Sequence, residues 1–290
     1  MQVRVWGCRG SVAAPGPDTL KYGGNTSCIE VRLSSGEVLV LDAGTGLRPL
    51  GVVMQSTRPP ELHILLSHLH LDHLQGLGFF RPLFNPDLEI HIWGPPSPVQ
   101  PLSERIAMYL SPPLFPVHLD DVPARLHFHD APEEAVSIGS ATMRSGKVVH
   151  QGPTVGYRIE EHGRSLVYVP DHEPSLGIEL RSVAPEWISG YDVARGADVL
   201  LHDAQYRDHE YGDHIGWGHS GLADAVEFAD KAGVQNLVLF HHDPYHTDDE
   251  LEALLMEARG LWPRGQDGIC LAREGMTITL DGDGVEIVAR

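Results

Sequence analysis

The sequence predicts an α/β protein built from stacked layers. Three observations carry that expectation. Strand-like and helix-like runs alternate along the whole chain, glycine-rich turns separate several strands, and no repeat, low-complexity tract or Ser/Gly linker divides the 290 residues. One domain over residues 1–290 is therefore expected. Apolar runs predict strands at 3–6, 27–33, 37–42 and 62–67. A helix is expected over 98–110, strands at 125–130 and 135–149, and a hairpin with arms at 156–160 and 165–169 turning at His162-Gly163. The second half predicts a strand at 198–201, a helix near 222–232, a strand at 236–240, a helix near 248–259, and closing strands near 269–272 and 276–280. The proline-dense segments 95–101 and 112–123 read as ordered surface loops.

Composition narrows the function classes. Apolar residues at 42% and charged residues at 21% are ordinary for a soluble globular protein, and nothing approaches the run of about 20 apolar residues a membrane helix needs. The first residues alternate like a strand instead of forming an apolar leader, so a cytoplasmic location is expected. Cys8, Cys28 and Cys270 allow no disulfide framework and no Cys-x-x-Cys zinc site, and read as small buried residues. The net charge of −19 repels a nucleic-acid polymer, because such binding depends on Lys and Arg displacing counterions. An anionic substrate must then be attracted locally, and bound cations would do this. Eighteen histidines make a metal site the first thing to look for.

The strand at 62–67 delivers His68-Leu-His70-Leu-Asp72-His73, at the strand end where open α/β sheets bind ligands. Alternate residues of an extended chain share a side, so His68 and His70 can converge on one ion, while Asp72 and His73 turn toward a second if a helix begins there. Imidazole and carboxylate donors without thiolate suit Zn²⁺, Mn²⁺ or Fe. The alternative, a run of solvated histidines, does not account for this spacing behind an apolar strand.

Four further segments stand in order along the chain, one before the hexamer and three after it: Leu39-Val-Leu-Asp42-Ala-Gly-Thr-Gly46, Val148-Val-His150, Leu166-Val-Tyr-Val-Pro-Asp171 and Leu237-Val-Leu-Phe-His241-His-Asp-Pro244. Together with the hexamer they resemble the motifs of the metallo-β-lactamase-fold hydrolases, over residues 3 to 281. The resemblance implies a four-layer αββα sandwich and two divalent cations. One would take His68, His70 and His150, the other Asp72, His73 and His241, with Asp171 bridging and Asp42 hydrogen-bonding behind the ligands. His241 is preferred to His242 because it stands third before the proline, and strand alternation sends the two rings to opposite faces.

Within the fold, His202-Asp203-Ala-Gln-Tyr206 and Gly218-His219-Ser220 resemble motifs of the transfer-RNA 3′-processing endonucleases. That likeness implies phosphodiester cleavage, with Asp72, Asp203 and His219 as the catalytic set: His219 protonates the leaving alkoxide and Asp203 orients its ring. Ser220 is expected to cap the helix near 222 and to favour a phosphate there. A helix cap alone is the bland reading of His219 and Ser220. Gly7-Cys-Arg-Gly-Ser11 and Tyr22-Gly-Gly-Asn-Thr-Ser-Cys28 resemble loops of small cyclic-phosphate phosphodiesterases, which would place Asn25 and Thr26 beside the substrate; ordinary turn chemistry explains them as well. Tyr206 or Trp217 can stack on a base, although a core role is the commoner use of such rings. His172 is an even candidate for the pocket wall, whereas His118, His127, His129, His162, His209 and His246 match no motif and read as exposed or hydrogen-bonded.

Departures matter too. Only 20 residues lie between His150 and Asp171, so the long arm of the transfer-RNA-processing enzymes is absent. The resemblance therefore implies hydrolysis of a small phosphodiester, a cyclic nucleotide or sugar cyclic phosphate, by a metal-bridging hydroxide. Alternatives are a nuclease of the transfer-RNA-processing group, a thioester or lactone hydrolase, and a non-catalytic metal or nucleotide sensor. Relatives often form homodimers, which makes a second copy a candidate partner; a membrane or polymeric nucleic acid is not expected.

Overall fold

In the computed structural model, which describes residues 1–55, 59 and 61–288, two mixed sheets pack face to face between outer helices. The first sheet contains β1 (Gln2–Gly7), β2 (Cys28–Arg32), β3 (Val38–Leu41), β4 (Leu62–Leu65), β5 (Glu89–Gly94) and β6 (Arg125–Asp130). The second contains β7 (Val136–Ile138), β8 (Ala141–Lys147), β9 (Val155–Glu161), β10 (Arg164–Val169), β11 (Val199–Asp203), β12 (Asn236–Phe240) and β13 (Ile269–Leu271). The chain then returns to the first sheet as β14 (Thr277–Asp281) and β15 (Gly284–Val288), giving the orders β15-β14-β1-β2-β3-β4-β5-β6 and β13-β12-β11-β10-β9-β8-β7. β3 to β6 run parallel, as do β10 to β13, while β7 to β10 form an antiparallel meander.

Alternation explains the layers. On β3, Leu39 and Leu41 enter the inter-sheet core, whereas Val38 and Val40 face the cluster under α1 (Leu47–Met54) and α2 (Leu102–Ala107). On β12, Val238 and Phe240 point inward, and Leu237 and Leu239 meet the helices of the other flank. That flank carries α3 (Tyr191–Ala194), α4 (Asp208–Tyr211), α5 (Leu222–Lys231) and α6 (Asp248–Leu261). Strands buried on both faces read as continuous apolar runs, which is why these were visible in the sequence. The architecture is the expected αββα sandwich.

Several boundaries differ from expectation. The run 135–149 is two strands, because Gly139 adopts φ +51° and turns the chain between β7 and β8. The helix expected over 98–110 spans only Leu102–Ala107, since Pro98 and Pro101 hold the preceding backbone extended or turned. β5 was not anticipated, although Ile90 and Ile92 alternate as a strand should; α1 and β15 were also missed. Among the described residues no helix is long and apolar enough to cross a membrane.

Candidate metal centre

Asp42, the 68–73 segment, His150, Asp171, Asp203 and His241 all lie in or just beyond the C-terminal ends of strands, at one rim of the sandwich. There His68, His70 and His150 bring three ring nitrogens within 4.8 Å of one another, and Asp72, His73 and His241 form a second such triad. Asp171 touches both. Its Oδ2 lies 3.7 Å from His68 Nε2, 3.6 Å from His150 Nε2 and 3.4 Å from His241 Nε2, and its Oδ1 lies 3.1 Å from His73 Nε2. Ligands on a tetrahedral ion with bonds near 2.1 Å stand roughly 3.4 Å apart, so these spacings suit divalent cations. A second observation agrees: His68 Nε2, His73 Nε2 and Asp171 Oδ1 are buried and make no hydrogen bond. Buried polar atoms without partners are costly, and a shared cation would supply one.

The opposite sides of these rings are fixed by hydrogen bonds. His73 Nδ1 donates to Asp42 Oδ2 at 2.7 Å, and His150 Nδ1 donates to the Gly218 carbonyl at 2.7 Å. His241 Nδ1 donates to Gln205 Oε1 at 3.0 Å, while Gln205 Nε2 is tied to Asp243 Oδ2, which sets the amide's orientation. Such outer contacts set the tautomer that presents Nε2 to a metal. Asp42 is itself saturated by the Ser67 amide and hydroxyl and by the Tyr168 hydroxyl at 2.8 Å, in a left-handed conformation of φ +58°. Ser67, Tyr168 and Gln205 were not anticipated. The signal for Tyr168 was a hydroxyl at an inward position of an apolar strand.

Electrostatics follow burial and neighbours. Burial lowers His68, His70 and His150 toward the neutral form. For His73 burial opposes protonation but is outweighed by Asp171, Asp72 and Asp42, which hold it well above the ordinary range. Burial would raise Asp72 and Asp171, yet His73 and His241 keep both below the usual carboxylate range.

His219 lies beside the centre. Its Nδ1 donates to Asp203 Oδ2 at 2.7 Å and is 3.9 Å from Asp171 Oδ2. Burial disfavours its charge, but Asp203 first, then Asp171 and Asp72, push its pKa up to about 9. Asp203 is fully buried and also accepts the amides of His172 and Gln205. Glu173, which the sequence did not single out, accepts the amides of Gly216 and Gly218 and the Tyr211 hydroxyl, and so anchors the loop before His219. Gly218 has φ +89°, and a β-carbon there would collide with the His150 ring.

Two chambers flank this arrangement. One, of about 530 Å³, includes His68, His70, Leu71, Arg105, Met108 and Leu114. The other, of about 440 Å³, includes His219, Tyr206, His214, Trp217, Glu210 and Tyr245. Trp217 is exposed there, whereas Tyr206 is buried and stacks on His214 with ring centres 4.2 Å apart.

Three expectations, those for Asn25, Thr26 and Ser220, are corrected by this geometry, while His172 and His242 turn to other partners. Asn25 spends its side chain on Glu274, and Thr26 is buried against Thr45, so neither side chain reaches the chambers. Ser220 is fully buried and donates to the His172 carbonyl, and the residue before α5 is Gly221 with no side-chain cap. His172 does not line the pocket: it is buried, with Nδ1 donating to His202 Nε2 at 2.9 Å. His242 is turned away and donates to the Ala272 carbonyl at 2.7 Å, which leaves His241 alone of the pair at the centre. Of the histidines matching no motif, His246 is buried and bonded to Glu210, and His127 and His129 stack on His91.

The model of the beta-lactamase superfamily domain matches residues 38–242. An uncharacterized protein of Mycobacterium tuberculosis is 28% identical over 261 residues, covering 87% of this chain and 84% of its own. Ribonuclease Z of Thermococcus onnurineus is 27% identical over 275 residues, covering 80% and 84%. Among solved structures, a diphosphatase from the PhnP family superposes with a TM-score of 0.67 at 20% identity, over 97% of this chain and 98% of that one.

Proposed function

Because the chain belongs to the beta-lactamase superfamily, we propose that it is a two-metal phosphodiesterase acting on a small phosphodiester such as a cyclic nucleotide or a sugar cyclic phosphate. The observation that carries this reading is the buried His219–Asp203 pair beside the two donor triads. His68, His70 and His150 would hold one ion, Asp72, His73 and His241 the other, and Asp171 both. When bound, two divalent cations would polarise a phosphoryl oxygen and lower the pKa of a water from about 15.7 toward roughly 7.

The chain's own residues supply the rest. With Nδ1 committed to Asp203, His219 keeps Nε2 for the second chamber, where it can protonate an ester oxygen as its bond to phosphorus breaks. Asp203 positions that ring and stabilises its cation. Trp217 and the Tyr206–His214 stack give the chamber aromatic faces for a base or sugar. The apolar first chamber suits the part of the substrate that remains on phosphorus, with Arg105 as its cation. The ribonuclease Z and diphosphatase relatives support phosphorus–oxygen chemistry. The −19 charge and the short segment before Asp171 weigh against transfer RNA.

A turnover panel with added Mn²⁺ or Zn²⁺ tests the proposal: cyclic AMP, cyclic GMP, bis-p-nitrophenyl phosphate, a thioester, a β-lactam and a 3′-extended transfer-RNA precursor. Hydrolysis confined to the small phosphodiesters is expected. Efficient turnover of the thioester or β-lactam, or site-specific trimming of the precursor, would overturn it.

A further inference from the structure

Away from the rim, the inner face of β4, β5 and β6 carries an unusual row. Positions equivalent to the inward Leu39 and Leu41 of β3 are taken there by His63 on β4, His91 and Trp93 on β5, and His127 and His129 on β6. In register, His63 pairs with His91 and His91 with His127, with ring centres 4.8 Å apart in both steps and planes within 21°. The row is tied together: His91 Nδ1 meets His129 Nε2 at 2.9 Å, and Trp93 Nε1 donates to His63 Nδ1 at 3.1 Å.

We propose that Glu89, His91 and His127 form a separate, peripheral site for one divalent d-block cation such as Zn²⁺, with water completing the coordination. Their donor atoms lie within 4.8 Å of one another, on two adjacent strands and one face. Glu89 Oε1 is held by Arg125 at 2.9 Å, which leaves Oε2, 4.0 Å from His127 Nε2. His129 holds the far side of the His91 ring, as an outer partner does for a ligand imidazole. Imidazole with carboxylate is a donor set for Zn²⁺, Ni²⁺ or Cu²⁺. Burial, then the neighbouring His127, lowers His91, so that ring presents its neutral, ligand-competent form. Glu89 and His127 are half exposed, so an ion can enter from solvent.

Equilibrium dialysis of the whole protein against micromolar free Zn²⁺, followed by metal analysis, tests the site. The Glu89→Gln/His127→Ala double variant alters only exposed side chains, and near-UV circular dichroism checks its fold. It should hold one ion fewer per chain than wild type, whereas His162→Ala, at an exposed turn elsewhere, should hold as many as wild type. Equal metal content in wild type and double variant, or the same loss in His162→Ala, would overturn the site. The readout is a difference between two proteins sharing the Asp171 centre, so it stays interpretable even if the dinuclear reading fails.

Discussion

At the scale of single residues, His219 is the side chain whose role separates chemistry from binding. If it protonates the leaving oxygen, His219→Ala should lower turnover of a cyclic nucleotide, which expels an alkoxide, by about 10²–10⁴-fold. The loss on bis-p-nitrophenyl phosphate should be far smaller, because p-nitrophenolate departs without a proton. Metal content should not change. Equal losses on both substrates would assign His219 to holding phosphate instead. Asp42 gives a complementary test, since it touches His73, Ser67 and Tyr168 but neither chamber. Asp42→Asn should weaken metal affinity by about 10–100-fold, measured by competition with a chromophoric chelator, because the His73 ring loses its anionic partner. An unchanged affinity would show that His73 needs no such support.

Between residues and the whole lie the elements, and here legibility was uneven. The hexamer after β4 and the histidine and aspartate after β8, β10 and β12 were visible because donors at a strand end keep their spacing when the strand folds. The loops were not. Asn25, Thr26 and Ser220 carry the polar groups a substrate site uses, yet the same groups satisfy buried backbone and neighbours, and sequence does not say which partner wins. Glu173 was invisible for the opposite reason: its work is done across the fold, on amides more than forty residues away. β5 was missed although its alternation was present, because histidine and tryptophan replaced the usual apolar partners on its inner face. The Glu173 anchor predicts its own signature. Glu173→Gln replaces a fork that accepts three amide bonds with a group that accepts on one side only, so the loop bearing His219 should drift. A fall in kcat of roughly tenfold or more with little change in metal content is expected, since small misplacements of catalytic groups are costly. A change confined to thermal stability would limit Glu173 to a structural role.

For the molecule as a whole, buried neutral histidines couple folding to pH. Burial lowers His202 to about 4 and His242 to about 3. The same rings in the unfolded chain titrate near about 6.5. Below that pH the unfolded chain takes up protons that the folded chain refuses. Each of these rings then costs about 1.4 kcal/mol of stability per pH unit, until its folded pKa is reached. Urea unfolding should therefore become easier from pH 7 to pH 5, and His242→Gln should flatten that dependence relative to wild type. Identical slopes would mean that His242 is not held neutral in the fold.

The two donor triads have one more property. His68 and His70 follow β4 of the first sheet and His150 follows β8 of the second; Asp72 and His73 belong to the first and His241 to the second. Each ion would thus pass through both leaves of a laminate, like a rivet at one rim, alongside the hydrogen bonds from Tyr157 to the Leu66 carbonyl and from Tyr168 to Asp42. Drawing the rivets would not merely silence the chemistry. It would also take two ties away from that rim, leaving hydrogen bonds such as those of Tyr157 and Tyr168 to hold the leaves together there.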